Sequence, residues 1–550
     1  MKFIVMENQK FEQLVENYLK WKYAYEPGFA SYLGLSSYDS LTGSFSPESR
    51  HDALAKLYNF KSQTEQISSG DLNADNKIDR IFLLRDIEMF LLRIEHIRHW
   101  EKNPQIYLDE ALDGINTLML KSFRPLEYTA EMILKKMESI PQLFIEAKDN
   151  LFKCPPVFLR VSSQTALCGI EFMDTIKDIY GKISPAFEED FKKASMKARE
   201  AISDFAFFLK TMEPGEEQSF ATGKEIFSRL VKTGYMIDKD LDELLERGEK
   251  CFASISEKLT ELGARLDPGR SWYEIYRELK QENPGPSGVL KMYLDYMNDA
   301  RDFLIKNDIV TVPSDIILDV TETPAFIRPL IPVAAYLSPG PYDEVQKGVF
   351  WVTPLPEGLS DEEIIKLTGE HNIYTAKVTA PHEAYPGHHL QLCMANRLKS
   401  PLRRIVHSNI FVEGWGLYCE EMMKEVGYLK GTKLELSQQV DQLMRAARVI
   451  IDIRLHTLGM TIEEAKSFLH DIVLVSAGTA EVEVNRYTMT PTQPMSYMLG
   501  QLEILKLRED FKKLKGSSFT LKDFHDSMLQ CGSSPVKIMR HIILGEELER

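Results

Sequence analysis

The stretch DKDLDELLERGEKCFASISEKLTELGARL, residues 238–266, sets Leu241, Leu244, Leu245, Phe252, Ile255, Leu259 and Leu262 at spacings of three, four and seven. Such spacing gathers apolar side chains on one face of a helix and leaves the charges on the other. A helix of this kind must bury its stripe against a partner, so a chain built from many of them is confined to helix-on-helix packing. Similar patterns recur near residues 51–68, 79–98, 184–211, 434–458 and 497–514. No fixed repeat period runs through them, which argues against a solenoid. The expected fold is mainly α, a large helical bundle.

One region departs from this texture. Between 309 and 355, IVTVPSDIILDVTETP and GVFWVTPLP are rich in β-branched and aromatic residues and are bounded by prolines. They predict a small β-sheet immediately before the histidine-rich motif at 382. Such a sheet can offer an edge to an extended substrate, or can simply cover the core. Proline and glycine clusters at PQLFIEAKDNLFKCPPVFLR, LDPGRSW and QENPGPSGVL read as loops or helix ends rather than linkers. The expectation is a single helical domain over 1–550, with a division into lobes at about 1–300 and 301–550 as the variant.

Charge narrows the partners. The chain carries 82 acidic and 66 basic residues, a formal net charge of -16 spread along its length. Nucleic acid and anionic membrane both demand a concentrated basic surface, so neither is expected as a partner. The opening MKFIVMENQKFEQ is interrupted by Glu7, Asn8, Gln9 and Lys10 before a signal-peptide core can form. No later apolar run is long enough to span a bilayer. The six cysteines form no CxxC pair, which fits reduced thiols, and the expectation is a soluble cytoplasmic protein.

The chemistry concentrates in HEAYPGHHLQ, residues 382–391. In HExxH, histidines at i and i+4 lie about 40° apart around a helix, so both reach one metal ion while the Glu activates water. Here His382 and Glu383 are present, but position 386 is proline. His388 and His389 would lie about 9 and 10.5 Å beyond His382 on an unbroken helix, too far to share a tetrahedral ion. Pro386 cannot donate to the carbonyl of residue 382, and Gly387 tolerates backbone angles that other residues avoid. The helix must therefore bulge or break. Absorbing two extra residues returns His388 to the place of the second histidine, the preferred register; absorbing three favours His389. Three histidines on a helix can also serve as caps and buried hydrogen-bonders. Their concentration with Glu383 in 8 of 550 positions, in a chain with 12 histidines, favours a metal site.

A third ligand is available in FVEGWGLYCEEM, residues 411–422. Glu413 falls 25 residues beyond His388 on an expected second helix, and carboxylate is a normal companion of two histidines at a catalytic zinc. Glu420, seven residues later on a similar face, is a candidate to orient a metal ligand, or a solvent-facing acid beside Glu421. Glu383 is the natural base for an attacking water. The segment NRYTMTPTQPMSYMLGQLE, 485–503, adds Arg486, Tyr487, Gln493 and Tyr497 in a loop-then-helix texture that can bring polar groups to one cleft. Arg486 can bind a substrate carboxylate bidentately or pair with Glu481 or Glu483. His456 reads as a buried structural histidine.

Together these motifs resemble the domain-of-unknown-function 885 family, largely bacterial helical proteins regarded as candidate zinc metallopeptidases. HEAYPGHHLQ, EGWGLYCEE, RVIIDIRLHTLGMTIEEA, SYMLGQLEILKLRE, FHDSMLQCGSSP and the early YEPGFASYLGLSSYD carry the likeness, which spans nearly the whole chain. More distantly the chain is similar to helical zincins of the thimet-oligopeptidase and thermostable-carboxypeptidase kinds, whose HExxH is contiguous. The resemblance implies a helical shell around a deep cleft, one Zn²⁺ per chain and small peptide or peptide-like substrates. It also nominates Tyr497 as oxyanion donor and draws His525 toward the substrate, where Tyr487 of the 485–503 segment is a further candidate; Tyr497 equally suits a buried structural role, and for His525 that role is the better default. A zinc-dependent hydrolase of peptide-like amides is the leading expectation. A non-peptide amide hydrolase on the same metal and a catalytically silent binding protein are the competitors.

Overall fold

Helix boundaries follow local chemistry. In the computed structural model of the protein, the helix Leu241–Leu266 begins where Asp240 Oδ1 accepts the Glu243 amide at 2.8 Å and Glu243 Oε2 accepts the Asp240 amide at 3.2 Å. That reciprocal capping satisfies donors that the first helical turn leaves free. The other expected segments are helical at Pro47–Gln66, Ala74–Leu91, Pro185–Thr211, Thr432–Thr457 and Ser496–Lys515. The structure describes residues 2–121, 124–323, 328, 334–354 and 369–548. Parts of the expected β region, 324–327, 329–333 and 355, lie outside these. No described helix is long and apolar enough to cross a membrane.

Chain contacts define two units, Met1–Ile226 with Tyr342–Glu344, and Phe227–Pro341 with Val345–Arg550. The first is helical, with Tyr18, Phe82, Tyr107, Phe144 and Phe205 fully buried. The second begins well before residue 300, because the stripe of Leu241–Leu266 packs along Thr432–Thr457. There Leu241 and Leu244 join Val449, Ile453, Ile410 and Leu499 in one core.

The second unit also holds the sheet. Strands β1 (Ile317–Glu322), β2 (Ala334–Leu337) and β3 (Lys347–Val352) lie in the order β1-β3-β2. β1 runs parallel to β3, with Val320 opposite Phe350, and β2 runs antiparallel, with Tyr336 opposite Phe350. Phe350 and Val352 share a core with Tyr293, Met297, Trp415, Tyr418 and Phe524. This small sheet precedes the histidine motif, as its β-branched composition predicts.

Two helices of this unit cross almost in backbone contact. A Cβ on Gly414 in Asn409–Glu425 would fall 2.5 Å from the Gly500 Cα in Ser496–Lys515, and one on Gly500 would overlap the Ile410 carbonyl oxygen. The crossing admits no larger residue without moving the helices. Gly500→Ala is therefore expected to destabilise the protein by about 1–3 kcal/mol, read as a lowered midpoint in thermal or urea unfolding. Gly478→Ala, at a helical position open to solvent, should leave the midpoint unchanged or raise it slightly.

Candidate metal centre

The proline and glycine of the histidine motif break the helix and absorb two residues. One helix, Ile373–Glu383, ends just past His382, and another, His388–Ala395, begins at His388. The Tyr385–Pro386 peptide is cis. The Leu390 amide donates to the Ala384 carbonyl, six residues back instead of the helical four. Gly387 lies so close to the Pro381 and His382 carbonyls that a side chain has no room there. The join is held from outside, because the fully buried Trp415 indole donates to the Pro386 carbonyl at 2.8 Å.

This break brings His388 to His382. Their rings stand edge to face with centroids 4.8 Å apart, and His388 Nε2 lies 3.6 Å from Glu413 Oε2. The potential ligand atoms of His382, His388 and Glu413 all fall within 4.8 Å of one another. His389 faces elsewhere. Its ring is fully buried against Tyr385, and its Nδ1 hydrogen-bonds the Tyr336 hydroxyl of β2 at 2.9 Å. Burial takes its pKa down to about 3, as suits a neutral core histidine.

Successive residues of EGWGLYCEE assemble the rest. Glu413 supplies a carboxylate, Gly414 allows the helix crossing, and Trp415 holds the Pro386 join. Gly416 leaves space for the His382 imidazole, whose Cε1 and Nε2 would lie 2.8 Å from an added Cβ. One turn on, the buried Glu420 Oε1 meets His382 Nδ1 at 2.7 Å. That contact fixes the ring and leaves Nε2 as the free donor atom, the arrangement by which a carboxylate orients a metal-binding histidine.

The two carboxyls of this helix differ because their surroundings differ. Burial pushes Glu420 up to about 8, and the Arg445 charge opposes this only in part. Burial also lowers His382, to about 4, with the charge of His388 adding to it, so both partners of that contact favour their neutral forms. Glu413 is desolvated too, yet the His388 imidazole 3.6 Å away outweighs this, with His382 and Tyr497 adding to it, and brings it down to about 2. Glu413 is thus held ionised, the form in which a carboxylate can bind a metal. Glu383 is half-buried, and its charge acts on both His382 and His388.

The loop before Ser496–Lys515 brings Gln493 and Tyr497 to Glu413. Gln493 Nε2 lies 3.4 Å from Glu413 Oε1 and 3.3 Å from the Tyr497 hydroxyl, while Gln493 Oε1 accepts from Arg486 Nη1 at 2.6 Å. Tyr497 also helps hold the Glu413 carboxylate down. The loop is pinned beneath. Thr492 takes a φ of 74°, its carbonyl accepts the Tyr235 hydroxyl at 2.8 Å, and the buried Asp452 accepts the amides of Thr492 and Met495.

Three expected substrate contacts have other partners. Arg486 pairs with Glu483 at 3.0 Å in addition to Gln493, so it braces the loop. Tyr487 is fully buried, giving its hydroxyl proton to Glu483 and accepting from Arg448 Nε. His525 is fully buried with both ring nitrogens engaged, Nδ1 donating to the Ile309 carbonyl and Nε2 accepting from Tyr418. Both tyrosine and histidine are occupied in the core, and burial lowers His525 to about 4. Sequence reasoning missed Trp415 and Gly416; glycine on both sides of a tryptophan within one helix was the available sign of close packing.

The sequence profile of a family described as bacterial protein of unknown function, DUF885, matches residues 27–543. The chain matches no curated protein. Among solved structures it is similar to a candidate lipoprotein of unknown function from Shewanella oneidensis, with a TM-score of 0.80 and 23% identity over 97% of this chain and 99% of that one. A candidate lipoprotein from Colwellia psychrerythraea matches with a TM-score of 0.77 and 20% identity over 98% and 99% of the two chains. These likenesses extend the fold to both proteins.

Gly416→Ala tests the centre without removing any donor atom. Pushing the His382 ring off its seat should weaken binding of added Zn²⁺ by about 10- to 100-fold, measured by competition with a chromophoric chelator, with the circular dichroism of the helices retained.

Proposed function

We propose that this chain, which belongs to the DUF885 family of bacterial proteins, is a zinc-dependent hydrolase of peptide or peptide-like amide bonds. The observation that carries this reading is the convergence of His382, His388 and Glu413 beside Glu383. Ligands at zinc distances of ~2.0–2.2 Å stand about 3.3–3.6 Å apart in a tetrahedron, and the His388–Glu413 separation of 3.6 Å suits that spacing. Two imidazoles and one carboxylate also leave a fourth position open, the composition of a catalytic rather than a structural site.

Zinc held by His382, His388 and Glu413 would supply a Lewis acid for the scissile carbonyl. The chain's own groups do the remaining work. Glu383 takes the proton of the attacking water and returns it to the leaving amine. Tyr497, desolvated beside Glu413 so that its hydroxyl stays protonated, is the proposed donor to the developing oxyanion. Gln493 holds that hydroxyl and the Glu413 carboxylate in register. Glu420 keeps the His382 ring in its tautomer and orientation.

Small peptides fit the acidic chain better than polyanions as substrates. All six cysteines are free, which favours a reducing compartment, and on that ground the cytoplasm is the proposed setting although both structural neighbours are described as lipoproteins.

Elemental mass spectrometry of protein purified without chelator should find about one zinc per chain. His382→Ala, His388→Ala and Glu413→Ala should lose it, while His389→Ala keeps it. Glu383→Gln should keep the metal and slow hydrolysis of defined peptides by at least about 100-fold. Wild-type protein that neither contains zinc nor takes it up would overturn the proposal and leave a helical binding protein. Zinc-dependent turnover of amide metabolites but of no peptide would move it to a non-peptide amide hydrolase.

A further inference from the structure

A cavity of about 600 Å³ opens in the second unit between the helices Trp272–Leu279 and Thr432–Thr457 and the segment 470–483. It shares side chains with the surroundings of the metal centre. Thr375 lines it two turns ahead of His382 on one helix, and the Arg448 guanidinium on its wall lies 4.8 Å from the Tyr497 ring centroid. Glu483, also on the wall, grips the Arg486 that holds Gln493. The volume suits a small ligand, and the aromatic side of the cavity, Trp272, Tyr273 and Tyr276, suits an apolar one.

The cations of the wall are not equally engaged. Arg448 is neutralised by Glu483 at 2.8 Å and donates to Tyr487. Arg445, one turn earlier, makes its ion pair among the described residues with Asp441 of its own helix, at 3.3 Å, its charge also acts on the buried Glu420, and its Nε is buried with no hydrogen-bond partner among the described residues. Arg277, exposed at the rim, forms no ion pair among the described residues. A planar guanidinium with donors to spare matches a carboxylate in two parallel hydrogen bonds. Asp441, Glu483 and the exposed Asp471 stand around the same space, and their repulsion weighs more heavily on a dianion such as phosphate than on a monoanion.

We propose that this cavity is a carboxylate subsite, in which Arg445 and Arg277 hold the free C-terminal carboxylate of a short peptide whose last side chain rests on Trp272 and Tyr276. The role in turnover rests on the hydrolase reading; the binding does not. The lining includes none of His382, Glu383, His388 or Glu413, so a peptide anchored here would have to extend past Thr375 and Arg448 to place an upstream bond at the centre, and cleavage there would require a free carboxyl end. Arg486, engaged with Glu483 and Gln493, is not the group that reads that end.

The test uses zinc-free, full-length protein, so that binding is read independently of hydrolysis. N-acetyl-glycyl-phenylalanine and its C-terminal amide are titrated while tryptophan fluorescence is followed, with calorimetry in parallel. The free acid should bind saturably and at least tenfold more tightly than the amide. Trp272→Phe should remove the fluorescence change while calorimetry still registers binding. Arg445→Gln and Arg277→Gln should each reduce the preference for acid over amide, and Arg277, on the exposed rim, can be replaced without risk to the fold. Equal binding of acid and amide, absence of binding, a preference untouched by both arginine variants, or tighter binding of phenyl phosphate would each overturn the proposal. Selective binding of the acid with no zinc-dependent turnover would instead count against the hydrolase reading and leave the subsite standing.

Discussion

The helix Asn409–Glu425 can occupy its place only because two of its residues have no side chain. Gly414 lets it cross Ser496–Lys515 at backbone contact, which carries Tyr497 and the pinned Gln493 to Glu413. Gly416, on the neighbouring part of the surface, receives the His382 ring. Between them Trp415 reaches out to the Pro386 carbonyl and holds the break that returns His388 to the site. A methyl group at either glycine would separate groups that must lie within a few ångström to share one ion. The convergence of His382, His388 and Glu413 therefore depends on packing at one helix surface, and packed interiors yield little to added volume.

Electrostatics then distinguishes residues that packing has brought together. Glu413 and Glu420 sit two turns apart on the same helix, both desolvated, yet the first is driven to about 2 and the second to about 8. The difference lies in the neighbours. Glu413 faces His388 Nε2 at 3.6 Å with a second imidazole nearby, whereas Glu420 has one short contact to a histidine that is itself held neutral. Carboxyls pushed apart in this way are suited to different tasks, one as a charged ligand and the other as an orienting partner. The same logic separates the adjacent histidines: His388 turns to Glu413, and His389 to a tyrosine of the sheet within the buried core.

Much of this was legible in one dimension. Apolar spacing located the long helices, and β-branched runs located the sheet before the histidine motif. Pro386 and Gly387 announced an interruption, since a residue without an amide proton and one without a side chain cannot both continue a helix comfortably. Residue type and spacing made His382, one of His388 and His389, and Glu413 candidate metal ligands, with Glu383 as the candidate base. What stayed open was which histidine follows the break, because two or three absorbed residues are both compatible with the string HEAYPGHH. Arg486, Tyr487 and His525 were equally ambiguous: a polar side chain looks available in a sequence until its partners are known.

By itself, then, the sequence determined the helical class, the place of the sheet, the interruption at 386–387 and the kinds of donor atom on offer, because these depend on local periodicity and on the chemistry of single residues. Only the tertiary structure decided that His388 and not His389 meets His382 and Glu413, that Glu420 stands behind His382, and that Tyr487 and His525 are spent in the core. Those outcomes depend on contacts between segments tens to hundreds of residues apart, such as Trp415 with Pro386 and His525 with Ile309, and no local pattern encodes which of several possible partners the packing will bring into reach.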